Sequence, residues 1–398
     1  MQTVNGRSRK EEPVPDRTGL AAAFPRGAWA AAGVLVAAGV LRLAFALTTP
    51  AWQNADEYPH YWVAEQIAAT GRLPLSEPVH PRYEAFQAPL HYLALAGVKA
   101  LAWPDTRPPF TYDPSPLFPE LAAYRLLSVA LSMWMLLASW NTLRAPQTRL
   151  RRGQAVAALA FLAFLPTYAG VSAGVNNDVS VILFSTLAVS ASVSNSAAGR
   201  ARRIGGWLAL AVLSKVNAVF LAVPLLALEG IRWMDAASRE GGFDLRALLG
   251  RLRPILLPLA GAVVLLVVRN LWLYGDLQGV NPGAPKEFRA DPAVAAWALR
   301  NLFWSFWYAF GRIYELQLPL AGYAGLALAV AVVVGRGGWI RWRGWRSGGR
   351  AEGVRGTWDF WIGWLARHPL QTLFVVGLPV FVLASLVYTL SYPFGTMT

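Results

Sequence analysis

The sequence predicts an all-α polytopic membrane protein of about nine spans, with interfacial helices in a long first outer loop, and three observations predict it. Its 398 residues are 55% hydrophobic and only 15% charged, against about 25% charged in soluble domains. Several apolar runs reach or approach the ~20 residues that cross a bilayer. The 36 Lys and Arg residues also cluster between those runs. With nine spans, 24 of them fall on one side and 11 on the other, with Arg42 inside a span. Cytoplasmic loops carry the basic excess, so the richer side is cytoplasmic. The net charge of +14 then reads as cytoplasmic positive charge and contact with anionic membrane lipid, not as a nucleic-acid surface. With no cysteine in the chain, a disulfide framework and thiolate chemistry are excluded.

In chain order, residues 1–26 form a basic cytoplasmic tail (Arg7, Arg9, Lys10, Arg17). The first span, Gly27–Thr48, exceeds the 7–15-residue apolar core of a signal peptide and reads as a retained anchor. Arg42, in its outer part, is expected to snorkel outward or to face a cavity. Residues 27–335 form the main membrane module, with the first outer loop at 49–120. Within that loop, Pro50–Tyr92 holds five carboxylates and three of the four histidines. A lipid-facing span cannot carry that load, since a central charge costs about 2.5–3.5 kcal/mol. Asp56–Thr70 reads as a helix capped by Asn54 or Asp56 and stopped by Gly71 and Pro74, with Asp56 and His60 on one face. Pro89–Trp103 reads as a second helix, too short for a ~30 Å core and therefore interfacial. Making it a span would invert every later loop and place four basic clusters outside.

The later spans are Leu121–Thr142, Ala155–Gly174, Val179–Ser194, a hairpin of Ile204–Ser214 and Val216–Ile231, Pro254–Trp272, Leu318–Gly335 and Leu370–Tyr392. Residues 336–369 interleave Trp with Arg and are expected to lie on anionic headgroups at the cytoplasmic face. Residues 370–398 hold the last span and a short outer end. No repeat of 20–50 residues and no inverted symmetry marks a transporter.

Candidate chemistry collects on the outer side. Asp56 and Glu57 follow the first span directly; such a pair serves as general base or metal ligand, or simply enriches a helix N-terminus in acid. Asn177 and Asp178 open a span, as caps or as site residues. Lys215 interrupts an apolar hairpin at its outer turn, where an ionisable group is functional unless it snorkels. Arg269, Tyr274 and Asp276 close the next outer span end, Arg125 heads Leu121–Thr142, and Arg312 and Glu315 lie in the aromatic run WSFWYAFGRIYELQLP. Single interfacial arginines anchor lipid; several converging on one face make an anion site. His60, Glu84, Gln87, His91 and Tyr92 complete the substrate-binding set. GxGxxG, the phosphate loop and HExxH are all missing, so no nucleotide cofactor is expected. The histidine spacing matches no zinc signature. A divalent cation, Mg or Mn before Zn, with Glu57 or Asp178 as ligands, stays open.

The order of these motifs carries a resemblance. A DE pair follows the first span, then a His three residues on and A-x-x-I-x-x-x-G-x-L-P. YEAFQAPLHYL comes next, then RLLS, NND and SK, and finally RNLWLYGD. This order resembles the GT-C membrane glycosyltransferases, in the bacterial branch related to protein O-mannosyltransferases and the lipid A aminoarabinose transferase, over about residues 28–335. FGRIYELQLP is similar to an uncharacterised bacterial branch of the same fold. The resemblance implies a GT-C fold in the cytoplasmic membrane, with its active site on the extracytoplasmic face. It implies transfer of a sugar from a polyprenyl phosphate to an outer glycan, lipid or protein, with inversion. Asp56 would be the base with Glu57 beside it, Lys215 and the outer arginines would hold the lipid phosphate, and Asp178 would match an acidic residue of a later span. QAP replaces the more usual QPP, and the chain stops at Thr398, just after its ninth span, where many relatives continue with further spans and a soluble tail. The competing readings are a transporter or lipid-carrier flippase, and a non-catalytic scaffold of the same fold.

Overall fold

In a lipid solvent every backbone N–H and C=O must be satisfied within the protein, and a helix does so within its own segment. The structure, a computed structural model, describes residues 26–77, 79–103, 116–194, 199–240, 242, 244–277, 292–307 and 354–391, and among these there is no strand. Among the described residues four helices are long and apolar enough to cross a membrane: Ala28–Thr48, Pro119–Leu143, Val216–Arg239 and Leu245–Tyr274. A fifth candidate, Trp361–Arg367 with Pro369–Ser385, is bent by 102°. The described residues thus hold four or five of the nine expected. The expected span Ala155–Gly174 divides at Pro166, which has no N–H to continue a helix, into α5 (Arg152–Phe164) and α6 (Pro166–Val171). The expected span Val179–Ser194 is α7 (Asp178–Val193), 16 residues long. Leu318–Gly335 and Arg312 lie outside the described residues.

The first span, α1 (Arg26–Thr48), packs on α4 (Pro119–Leu143) and α5. Arg42 neither snorkels nor meets lipid. It is fully buried, donating from Nε to Ser172 Oγ at 3.0 Å and from Nη1 to the Ala163 carbonyl at 3.0 Å. Ala163 lies in the last turn of α5, whose carbonyls have no partner within the helix. The guanidinium therefore bridges α1 to the break after α5.

The expected hairpin is formed by α8 (Arg200–Ser214), a 3-10 stretch (Val216–Leu221) and α9 (Ala222–Glu240), with Lys215 at the break. Arg200 at the foot of α8 reaches Glu229 in α9 at 3.0 Å, so the two arms fold back on each other. α8 lies between α7 and α10 (Leu245–Tyr274), burying Ile204, Leu208 and Val212 with Leu225, Leu228 and Ile255. Gly205 makes this approach possible, since a Cβ there would stand 2.5 Å from the Pro254 carbonyl oxygen. Three further helices are α11 (Pro292–Trp307), α12 (Val354–Arg367) and α13 (Pro369–Ser391).

The first loop folds as α2 (Glu57–Thr70), a 3-10 turn (Arg82–Phe86) and α3 (Leu90–Ala102). Gly71 ends α2 in the left-handed region and donates its N–H to the Ile67 carbonyl, as its freedom from a Cβ allows. At 13 residues α3 is about 20 Å long, short of a ~30 Å core. Three buried polar side chains fasten the loop helices to α4: Glu65 meets Lys99 at 3.1 Å and accepts from the Tyr124 hydroxyl at 2.7 Å. Beside them Trp52, Tyr58, Tyr61 and Tyr124 form an aromatic cluster.

Candidate functional site

The two carboxylates at the foot of the loop part company. Glu57 turns inward, and its side chain is fully buried against an equally buried Arg125 at 2.6 Å. Its Oε1 accepts from Arg125 Nε, Asn54 Nδ2 and the Val175 backbone N–H; its Oε2 accepts from Arg125 Nη2 and the Trp52 backbone N–H. An ionised carboxylate offers about four lone-pair sites, so Glu57 is saturated. Arg125 is equally spent. Besides Glu57 it donates to the carbonyls of Ala46, Thr49 and Pro50, which uses all five guanidinium N–H groups. Together Glu57 and Arg125 clamp the end of α1 to α2, α4 and the 173–175 turn, with their polar groups spent on each other and on the backbone rather than left open for a cation or a phosphate. Gly174 permits that turn, because a Cβ would meet Asn54 at 2.9 Å.

Asp56 does the opposite. It sits one residue before α2 in the left-handed region, φ 54, without capping the helix through its side chain. That conformation is tolerated best by Asp and Asn among non-glycine residues. It turns an exposed carboxylate toward Tyr83, whose hydroxyl donates to Oδ1 at 2.8 Å. The expected pairing with His60 on one helical face does not form. His60 is buried, its Nδ1 2.7 Å from the Tyr92 hydroxyl, and burial followed by the nearby Lys215 cation holds its pKa well below the ordinary value. It is a neutral group and lends Asp56 no positive charge. The imidazole whose surroundings include the Asp56 charge is His80, stacked on Tyr58. Sequence reasoning left Tyr83 and His80 out of the substrate-binding set, weighing His80 only as a zinc ligand. The available signal was the aromatic YEAFQ run beside a polar loop.

Around Asp56 the remaining candidates gather from five elements. Glu84, in the 3-10 turn, accepts from Gln87 Nε2 at 2.9 Å. Its carboxyl pKa is raised, chiefly by burial, and Asp56, Lys215 and Asp178 all lie close enough for their charges to act on it. His91 and Tyr92 come from α3; His91 Nδ1 lies 2.8 Å from Ser180 Oγ, while its Nε2 is buried with no partner among the described residues. Asp178 opens α7 and bonds Lys215 Nζ at 2.6 Å, a half-open pair with 37% and 23% side-chain exposure. Asn177 donates to the Ser214 carbonyl at 3.3 Å, where Lys215 interrupts α8, and its Oδ1 is buried without a partner among the described residues. The C-terminal end of α10 supplies Arg269 and Tyr274.

Arg269 and Tyr274 hold the loop. Arg269 donates from Nη1 to the Phe86 carbonyl and from Nη2 to that of Ala85, stacks on Tyr274 and leaves Nε without a partner. The Tyr274 hydroxyl accepts from the Ser76 backbone N–H at 3.2 Å. Asp276 follows Gly275, half-buried, just past the end of α10. Lys215 makes one bond, to Asp178, against the three N–H groups of an ammonium, and its side chain is partly exposed. Among the described residues no group of three or more His, Asp or Glu side chains is placed to hold a metal ion. Of the two cation ligands expected from the sequence, Glu57 spends its lone pairs on Arg125 and its neighbours and Asp178 bonds Lys215.

No protein-family model and no curated protein sequence matches the chain. Among solved structures, one to which it is similar is the S. cerevisiae protein O-mannosyltransferase Pmt1-Pmt2 complex bound to the sugar donor, at 19% identity and TM-score 0.46. The match covers 64% of this chain and 34% of the yeast one, so the chain spans about a third of that protein's length. At that distance no residue role or activity carries across.

Proposed function

We propose that the chain is a membrane glycosyltransferase of the GT-C kind, moving a sugar from a polyprenyl phosphate to an acceptor hydroxyl on the extracytoplasmic face. The observation that carries the proposal is the convergence of Asp56, Glu84, Asp178 and Lys215, from four separate elements, around an exposed carboxylate at one end of the bundle. The motif order described above supports the same reading, as does the charge asymmetry that places this end outside.

The chemistry asks little more of the protein than these groups. A sugar linked to polyprenyl phosphate already carries its leaving group. The acceptor oxygen attacks the anomeric carbon as the carbon–oxygen bond to phosphate breaks. The acceptor proton passes to the Asp56 carboxylate, a general-base role, and direct displacement inverts the anomeric centre. The departing phosphate gains a negative charge, which Lys215 stabilises by exchanging part of its contact with Asp178 for phosphate oxygens. Tyr83, by donating to Asp56 Oδ1, leaves the other carboxylate oxygen to take the proton. His60, His91 and Tyr92, neutral and polar, suit sugar hydroxyls.

The experiment that tests the proposal incubates membranes containing the protein with a panel of radiolabelled polyprenyl-phosphate sugars. Label appearing in an acceptor, dependent on the protein, supports it; no transfer from any member of the panel, with the protein present and folded, overturns it. Adding a chelator to the active reaction checks separately whether a cation takes part.

A further inference from the structure

The opposite end of the same helices carries a second charged site that the proposed transfer does not use. Glu229, buried to 1%, receives three guanidiniums: Arg200 at 3.0 Å, Arg232 at 2.7 Å and Arg251 at 3.1 Å. One carboxylate neutralises one of them, and burying the others uncompensated is costly. Arg200 and Arg232 also spend donors on the Ser194 and Ser192 carbonyls. Arg251 gives only Nε to Glu229, and its side chain is 30% exposed. Arg200, Arg251, Glu229, Trp233 and Asp244 border a cavity of about 610 Å³, and Asp244 already accepts from the Arg246 backbone N–H.

Position identifies what fills such a cavity. α10 has 30 residues and so is about 45 Å long, some 15 Å more than a ~30 Å core. Its surplus is the first turns, Leu245–Arg253, which carry Arg246, Arg251 and Arg253 ahead of the apolar run from Pro254. Segments 200–203 and 229–253 together hold eight arginines against four carboxylates. The cavity thus stands at headgroup height with a positive surplus, and Trp233 at its edge suits an interfacial level.

We propose that this cavity binds the phosphate of an anionic phospholipid headgroup, with Arg251 and Arg200 as the contacting cations and Glu229 as the post that fixes their direction. A phosphodiester takes paired N–H donors from a guanidinium well, and anionic lipid is abundant where basic segments meet the cytoplasmic leaflet.

The test is lipid retention by the purified full chain, read by native mass spectrometry after exchange into mixed phosphatidylglycerol and phosphatidylcholine. The wild type is expected to retain phosphatidylglycerol preferentially, and Arg251→Gln to lower that retention about tenfold. Arg239→Gln, whose partner Asp235 lies away from the cavity lining, should change nothing. Equal retention of the two lipids by wild type overturns the proposal, and this arm needs no variant to fold. Unchanged retention in a folded Arg251→Gln also overturns it. Millimolar inorganic phosphate supplies the last arm: if it strips the lipid and stabilises the protein as well as the lipid does, the ligand is soluble phosphate and the lipid assignment falls.

Discussion

Two ion pairs join stretches of the chain far apart in sequence, and they differ in what they leave open. Glu57–Arg125 is buried on both sides and has no donor or lone pair unspent. Asp178–Lys215 is partly open and keeps ammonium N–H groups unspent. The first can only hold geometry, since any ligand would have to break a saturated network. The second can trade partners at little cost, because a half-exposed pair contributes only about 0–1 kcal/mol. An anionic substrate is therefore expected at the hairpin tip and not at the clamp, although residue types alone favour neither.

The largest expected effect breaks the clamp. Glu57→Gln leaves the Arg125 cation buried without a counter-charge, which costs about 3–5 kcal/mol; thermal unfolding in detergent should show a marked loss of stability or no folded protein. Arg125→Lys should not rescue the fold, since an ammonium has three donors in place of the guanidinium's five. A Glu57→Gln protein as stable as wild type would remove the distinction between the pairs. Next comes Lys215→Met, which should weaken donor binding about tenfold or more through the lost charge-assisted contact, while stability moves by less than about 1 kcal/mol. Titrating a polyprenyl-phosphate sugar into the purified variant reads the first quantity, and unfolding reads the second. The smallest effect belongs to Asp178→Asn. It frees Lys215 from its counter-charge, so donor binding should hold or tighten and stability should stay within about 1 kcal/mol. Weakened binding in that variant would make Asp178 itself a ligand for the sugar.

The sequence made some of this legible and hid the rest for physical reasons. Lys215 stood out because an ammonium inside an apolar hairpin is costly unless it has a task, and the fold puts it at the break between α8 and the following 3-10 stretch. Gly71 stopped α2 as its backbone freedom suggests. The Asp56–His60 spacing misled, because Asp56 precedes the helix in a left-handed conformation and does not share its face. Nothing local announced that Glu57 and Arg125, 68 residues apart, consume each other. Arg269 read as a phosphate ligand, yet two of its nitrogens hold carbonyls of a loop more than 180 residues earlier. Pairings of that separation are set by packing, which local patterns do not record.

The measurement closest to the central claim compares Asp56→Asn with wild type for sugar transfer from the active polyprenyl-phosphate donor, after both are shown folded in the membrane. Asp56 is exposed and its carboxylate is bonded only to the Tyr83 hydroxyl among the described residues, so the replacement keeps size and fold while removing the basic oxygen. Turnover lowered by roughly 10²–10⁴, the range of a lost general base, with donor binding intact, is the predicted result. Near-normal turnover in folded Asp56→Asn would contradict the account and take the base away from this site.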